Sequence, residues 1–229
     1  MVSEIPYRSP VVWRSAYIQL KRKWWIRFIF VNLFYGVIVL SLGLSLTQSE
    51  KRAESFSFQK SSLEDYKARE AIYSILKSKG ISLNQGMDIA EVTLHQSKVL
   101  DIPMSLILAV MKKESMFDPR AVSSKQAMGL MQVHPVTWNE YVGKLNLNVS
   151  NYAAFDPVAN ITVATHVLKD LYEDYRETAR SESELWDSVL SAYYAGKHSF
   201  SQTGMEESHK KYVADVNRFR NEFDQRLRN

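Results

Sequence analysis

The stretch Phe28 to Leu46, FIFVNLFYGVIVLSLGLSL, runs for 19 residues without a charged side chain. As a helix rising about 1.5 Å per residue, it covers roughly the 30 Å of a bilayer's hydrocarbon core. It is apolar on every side, so it lacks the polar face that a core helix of a soluble domain turns to water. Asn32, Ser41 and Ser45 are its polar members, and a helix tolerates them. The flanks are asymmetric. Residues 1–27 carry Arg8, Arg14, Lys21, Arg22, Lys23 and Arg27 against Glu4, a net +5, where the whole chain sums to +4. The positive-inside rule therefore places the N-terminus in the cytoplasm and the rest on the far side. Trp24, Trp25 and Tyr35 suit an interface. A cleaved signal peptide is the alternative, but its apolar region is normally about 7 to 15 residues long and ends at a small-x-small site. Here the run is longer and SLGLSLTQS is a poor cleavage site, so a retained anchor is expected.

Beyond the anchor the remaining charge is −1, so the basic balance belongs to the tail. That argues against a nucleic-acid surface on the folded part. The chain is 45% hydrophobic with no cysteine, which excludes disulfides and thiolate metal sites. Five histidines show no ligand spacing, and no metal or cofactor is expected. The expected boundaries are a basic cytoplasmic tail 1–27, a transmembrane anchor 28–46, a polar linker 47–61 and one all-α domain 62–229.

The helices of that domain carry their own start and stop signals. Ser62 is placed to cap the first, with Gly80 as its stop. A second runs from about Gly86 to Val99. A third begins after Pro103 and carries Met104 to Met116. Residues 118–152 read as irregular. Asp156 caps a long helix with the stripe Ile161, Ala164, Thr165, Leu168, Leu171, Tyr172 and Tyr175. Ser181 and Glu184 have capping-box spacing for the next, which ends at Gly196. The last presents Tyr212, Val216, Phe219, Phe223 and Leu227 on one face. His209, Lys210 and Lys211 read as its solvated start.

Within the third helix Ile107, Val110 and Met111 define an apolar stripe, and the next place on it is Glu114. A carboxyl on a buried face resists ionisation, which is what a general acid near neutral pH requires. The plainer reading is a frayed helix end with Glu114 in solvent, where Lys112 and Lys113 mark the water. Spacing alone leaves both open.

The residues around Glu114 carry a resemblance. Glu114-Ser115, Phe117, Asp118-Pro119, Ala121-Val122-Ser123, Gly129-Leu130-Met131-Gln132 and Pro135-x-Thr137 resemble the first motifs of the lytic transglycosylases with a lysozyme-like fold. FDPVANI (Asp156, Pro157, Asn160, Ile161) is similar to that family's Asp-Pro-x-x-Asn-Ile segment. SAYYAG (Ser191 to Gly196) is similar to its Ala-Tyr-Asn-Ala-Gly motif. The resemblance covers about Ser97 to Gly196, with four motifs in order.

It implies an all-α, lysozyme-like domain (goose-type or soluble lytic transglycosylase-like) behind one transmembrane helix. It also implies cleavage of the β-1,4 bond between N-acetylmuramic acid and N-acetylglucosamine in peptidoglycan, with a 1,6-anhydromuramoyl product. Glu114 matches the single acid and base. By position, Ser123 and Gln132 would line the cleft, Met131 would pack under the sugar, and Tyr193 would sit near the carboxyl. Tyr194 stands at the motif's asparagine, a substrate contact. The partners implied are glycan strands and the membrane, at a bacterial inner membrane with the domain in the periplasm. A secretion or conjugation apparatus is compatible. Three positions depart from the pattern: Gln126 for a usual Gly, Ala164 for a common Gly, and Tyr194 for Asn. Gln126 and Tyr194 motivate an alternative, a non-catalytic wall-binding or scaffold subunit. A hydrolytic muramidase is the closer one.

Overall fold

The computed structural model describes residues 10–228. Expectations resting on Glu4, Arg8, Arg14, Lys23 and Trp24 fall on side chains outside the described residues. The chain divides into two compact units, Met1–Ser62 and Leu63–Asn229.

The described part of the first unit is helix, the N-terminal part of α1 (Pro10–Lys77). From Trp25 to Leu46 its large apolar side chains are exposed, and it is the one helix among the described residues long and apolar enough to cross a membrane. Two of the polar side chains inside the apolar run bond to their own helix. Asn32 Nδ2 donates to the Phe28 carbonyl at 2.7 Å and Ser41 Oγ to that of Ile38 at 2.9 Å. That satisfies them without water. Residues 47–61, expected as a linker, are helical, and Ser62 is no cap: it lies within α1 and donates to the Phe58 carbonyl at 3.0 Å. The polar residues there still allow helix, since Glu, Lys, Arg, Gln and Ala are good helix formers.

The second unit is all-α. After the end of α1 come α2 (Leu83–Leu100), α3 (Met104–Ser115), α4 (Pro135–Lys144), a short 3-10 turn (Asn151–Phe155), α5 (Pro157–Tyr175), α6 (Glu182–Ala195), α7 (Lys197–Thr203) and α8 (Glu207–Arg228). Among the described residues there is no strand, only isolated bridges joining Val122 to Met128 and Met128 to Val133. Two of the expected caps form. Asp156 accepts from the Ala159 amide at 2.9 Å, and Ser181 Oγ accepts from that of Glu184 at 3.2 Å. The segment 118–152 is not wholly irregular, because Pro135 opens α4 at its first turn, where a missing N–H costs nothing. His134 caps that helix, its Nδ1 accepting from the Val136 amide.

Helix α3 is the centre. Leu106 through Met111 have no exposed surface, so it is covered on all sides. It packs along α8, while α2 lies on α5, α5 on α6, and α6 on α8. At its end Met116 and Phe117 both take the left-handed conformation, φ 54° and 71°. For a bulky L-residue this costs about 1–2 kcal/mol. The turn drives the Phe117 ring into the core, 1% exposed and edge-on to Phe223 of α8 at 6.1 Å. Burying such a ring contributes about 1.5–3 kcal/mol, which offsets the strain at Phe117 itself. Phe117→Ala keeps the strained turn and removes its compensation. Denaturant unfolding should show a loss of about 3–5 kcal/mol.

Candidate active site

The abrupt stop of α3 leaves Glu114 in its last turn, half-buried and facing α8 and α6. Glu114 Oε1 accepts a hydrogen bond from the Tyr212 hydroxyl of α8 at 2.5 Å. Burial pushes the Glu114 carboxyl up to about 7. The Tyr212 hydrogen bond and the positive charge of Lys113 oppose that rise without cancelling it. The C-terminal end of α3 acts in the same sense as burial, because its unpaired carbonyls disfavour a carboxylate.

The two lysines do not mark water, as the plainer sequence reading supposed. Lys112 is buried, with Nζ 2.7 Å from Glu222 and 4.1 Å from the centre of the Phe219 ring. Lys113 Nζ lies 2.8 Å from Asp215. Both cations are therefore held by carboxylates of α8, which leaves Glu114 without a direct ion pair.

Tyr193 and Tyr194 leave α6 in different directions. The Tyr193 hydroxyl donates to the Met131 carbonyl at 2.7 Å. Its pKa is held well above 10, by burial first and then by the nearby Glu114 charge. Tyr212 is raised well above 10 by burial and by Glu114 in the same way. Tyr194 is 48% exposed and stacks on Tyr212 with ring centres 4.7 Å apart and planes 24° apart. Glu114, Tyr193, Tyr194 and Tyr212 thus form one cluster. Tyr212 was missed by sequence reasoning, which saw an aromatic core stripe; its ring is indeed buried, and only its hydroxyl turns to the site. His209 was misread as solvated. It is 4% exposed, edge-on to Tyr194 at 5.9 Å.

The floor of the site is the loop between α3 and α4, tied to α3 by Ser115 Oγ, which donates to the Leu130 carbonyl at 2.8 Å. Ser123 Oγ accepts from the Ala127 amide at 3.0 Å. Gln132 Nε2 donates to the Ala121 and Gly129 carbonyls at 3.0 and 2.9 Å. Both side chains shape the loop, and neither hydrogen-bonds Glu114. Met131 is fully buried, so its side chain supports the floor and does not itself reach the surface.

Asn160 of α5 pins the loop from below. Its Oδ1 accepts from the Met131 amide at 2.9 Å, and its Nδ2 donates to the Met128 and Ala154 carbonyls at 3.0 and 2.9 Å. Gly129 presses against this amide at φ 77°, where an added Cβ would lie 2.4 Å from the Ala154 carbonyl oxygen and 2.5 Å from Asn160 Nδ2. Gln126 takes φ 65°, which accounts for the glycine in the related pattern.

Residues 92–215 match the family model of the transglycosylase SLT domain. The chain belongs to this family. Among relatives of the SLT-domain protein, the membrane-bound lytic murein transglycosylase C of Shigella sonnei is 30% identical over 183 residues, 72% of this chain and 48% of that protein. The corresponding protein of Mannheimia succiniciproducens is 36% identical over 103 residues, 44% of this chain and 29% of that one. The chain spans less than half the length of these curated relatives. Among solved structures, an inactive glutamate-to-glutamine mutant of lytic transglycosylase Slt from Pseudomonas aeruginosa superposes with a TM-score of 0.53. It is 21% identical, over 60% of this chain and 24% of that one. A 70-kDa soluble lytic transglycosylase in complex with bulgecin A gives 0.50, at 20% identity, over 59% and 24%. The fold is the all-α, lysozyme-like fold of these enzymes.

Two outcomes follow for this SLT domain. Gly129→Ala should unfold at markedly lower temperature, because the clash is with backbone and with an amide that already has three partners. Glu114→Gln should be more stable than the parent at pH 8. The folded carboxyl holds its proton up to about 7, where the unfolded one releases it near 4.5. The folded state therefore binds more protons between these values, and stability falls as pH rises through that window. The amide removes this penalty, a gain of up to about 3 kcal/mol above pH 7 that vanishes below pH 4.5. Thermal melts at the two pH values measure it.

Proposed function

We propose that this protein is a membrane-anchored lytic transglycosylase. It cleaves the β-1,4 bond between N-acetylmuramic acid and N-acetylglucosamine, with Glu114 as both acid and base. The observation that carries the reading is one half-buried carboxyl at the end of α3, pushed up to about 7 by burial and hydrogen-bonded by the Tyr212 hydroxyl.

At rest the Glu114 carboxyl carries a proton that Tyr212 orients through the other oxygen. Glu114 gives this proton to the glycosidic oxygen as the C1–O bond breaks, and the N-acetylglucosamine end leaves as an alcohol. The carboxylate then takes the proton of the muramoyl 6-hydroxyl as O6 bonds to C1. Glu114 ends protonated and no water is consumed, which gives the 1,6-anhydro product. Tyr193 and the loop around Ser123, Met131 and Gln132 hold the carboxyl's surroundings in place, and the exposed part of Tyr194 is available to a sugar.

The apolar run in α1 and the basic tail support an inner-membrane anchor, with the domain in the periplasm. Such a placement is compatible with service to a secretion or conjugation apparatus.

Digestion of purified peptidoglycan by the full chain in detergent tests the reading, with product masses as the readout. Anhydromuropeptides are expected, with a loss of roughly 10²–10⁴-fold in Glu114→Gln. Products heavier by one water would instead identify a muramidase, and glycan binding without release a scaffold subunit. For the parent, kcat/KM should decline as pH rises past about 7, because the acid form is lost.

A further inference from the structure

The hydrogen bond from Tyr212 to Glu114 depends on where the Tyr212 ring stands. Tyr212 sits in the second turn of α8, just beyond the link at Gly204 and Met205. Its ring is covered by Tyr194, stacked at 4.7 Å and 24°. Tyr194 in turn meets the His209 ring edge-on at 5.9 Å. His209 is itself fixed: it packs edge-on to Phe200 at 5.8 Å, its Nδ1 accepts from the Glu206 amide at 3.1 Å, and that nitrogen lies 3.0 Å from the Gly204 carbonyl. A rigid row therefore runs from the α7–α8 link through His209, Tyr194 and Tyr212 to the carboxyl.

We propose that Tyr194 is a positioning residue: braced by His209, its ring clamps Tyr212 so that the phenol hydroxyl stays on Glu114. This rests on reading Glu114 as the acid and base. An asparagine at this position has no ring to stack. Offset aromatic stacking constrains both the spacing and the tilt of the partner ring, so a tyrosine here sets the Tyr212 hydroxyl through its ring plane. The groups facing Glu114 are Lys113 from α3, itself paired with Asp215 of α8, Tyr212 from α8 and Tyr193 from α6. Of these, Tyr212 is the one that Tyr194 touches.

The test follows the protonation of Glu114 directly. Infrared difference spectra of the full chain in detergent give the protonated-carboxyl band that Glu114→Gln removes, and its pH midpoint is recorded. Tyr194→Leu keeps apolar bulk over the site but removes the stack. The hydrogen bond favours the carboxylate, so its loosening should move the midpoint up, by about half to one pH unit. Tyr194→Met should do the same if the leucine variant folds poorly, and Tyr194→Phe, which keeps the ring, should restore the parent midpoint. In a Tyr212→Phe background, where no hydroxyl remains to be placed, Tyr194→Leu should move nothing further.

A midpoint that stays put or falls in Tyr194→Leu overturns the clamp. So does an equal shift in both backgrounds, since that would show mere shielding from water. If the parent releases no anhydromuropeptides, the functional reading fails, while the infrared midpoints still decide the clamp.

Discussion

A carboxyl that is to remain protonated near neutral pH must be kept dry and kept from cations. The second condition is the harder one here, because Lys112 and Lys113 directly precede Glu114. At a few ångströms an unscreened ammonium would hold the carboxyl charged. The packing of α3 along α8 prevents this. Glu222 and Asp215 each hold one of the two lysines, at 2.7 and 2.8 Å, and Phe219 covers the Lys112 ammonium. The same pairing supplies Tyr212 to the carboxyl and Phe223 to the turn that ends α3. One helix thus provides the site's donor, its charge management and the partner of its strained corner. Lys113 still pulls Glu114 toward ionisation, but burial prevails.

The sequence shows some parts of this plainly and others not at all. Caps and periodic stripes are local, so Asp156, Ser181 and the face of α8 were readable from neighbours a few residues away. Glu114 was readable as an intruder on the stripe of Ile107, Val110 and Met111. Helix α4 was not, because Pro135 looks like punctuation in either role and only Trp138 and Tyr141 of its ten residues are buried. The continuous α1 was not, because Ser62 has the chemistry of a cap and bonds instead to its own helix. Tyr212 lies 98 residues from Glu114, and nothing in its spacing separates it from Phe219 or Phe223. Only the packing of α8 on α3 turns its hydroxyl toward the carboxyl. His209 was misread for the same reason: Phe200 and Tyr194, which bury it, come from other helices.

The loop beneath the site is held by satisfied polar groups more than by apolar burial. Asn160 spends its carbonyl and its amide on three backbone groups of two segments, and Gly129 leaves it room. Such a network is rigid when complete, since any displaced member strands a buried polar atom. The rigidity lets the loop accept non-glycine residues in left-handed conformation. Gln126 at φ 65° costs on the order of 1 kcal/mol, and the Gln126 amide closes a tight turn onto the Ser123 carbonyl at 2.9 Å. The departure from glycine at this position is therefore absorbed within the turn and leaves the anchors at Ser123, Gly129 and Gln132 in place.

The departure at Tyr194 is of another kind, because it changes what the site offers. An asparagine presents a donor and an acceptor to a ligand and little else. A tyrosine presents a ring, and here the face turned to Tyr212 is already occupied. The surface of Tyr194 that stays open to solvent is about half of the residue. On the proposed reading, the exchange gives up a polar side chain at the site and stacks a ring on the tyrosine that hydrogen-bonds Glu114. A site that works through one carboxyl is sensitive to that exchange. On the proposed reading of Glu114 as the single acid and base, the placement of the Tyr212 hydroxyl decides how readily the proton leaves and returns.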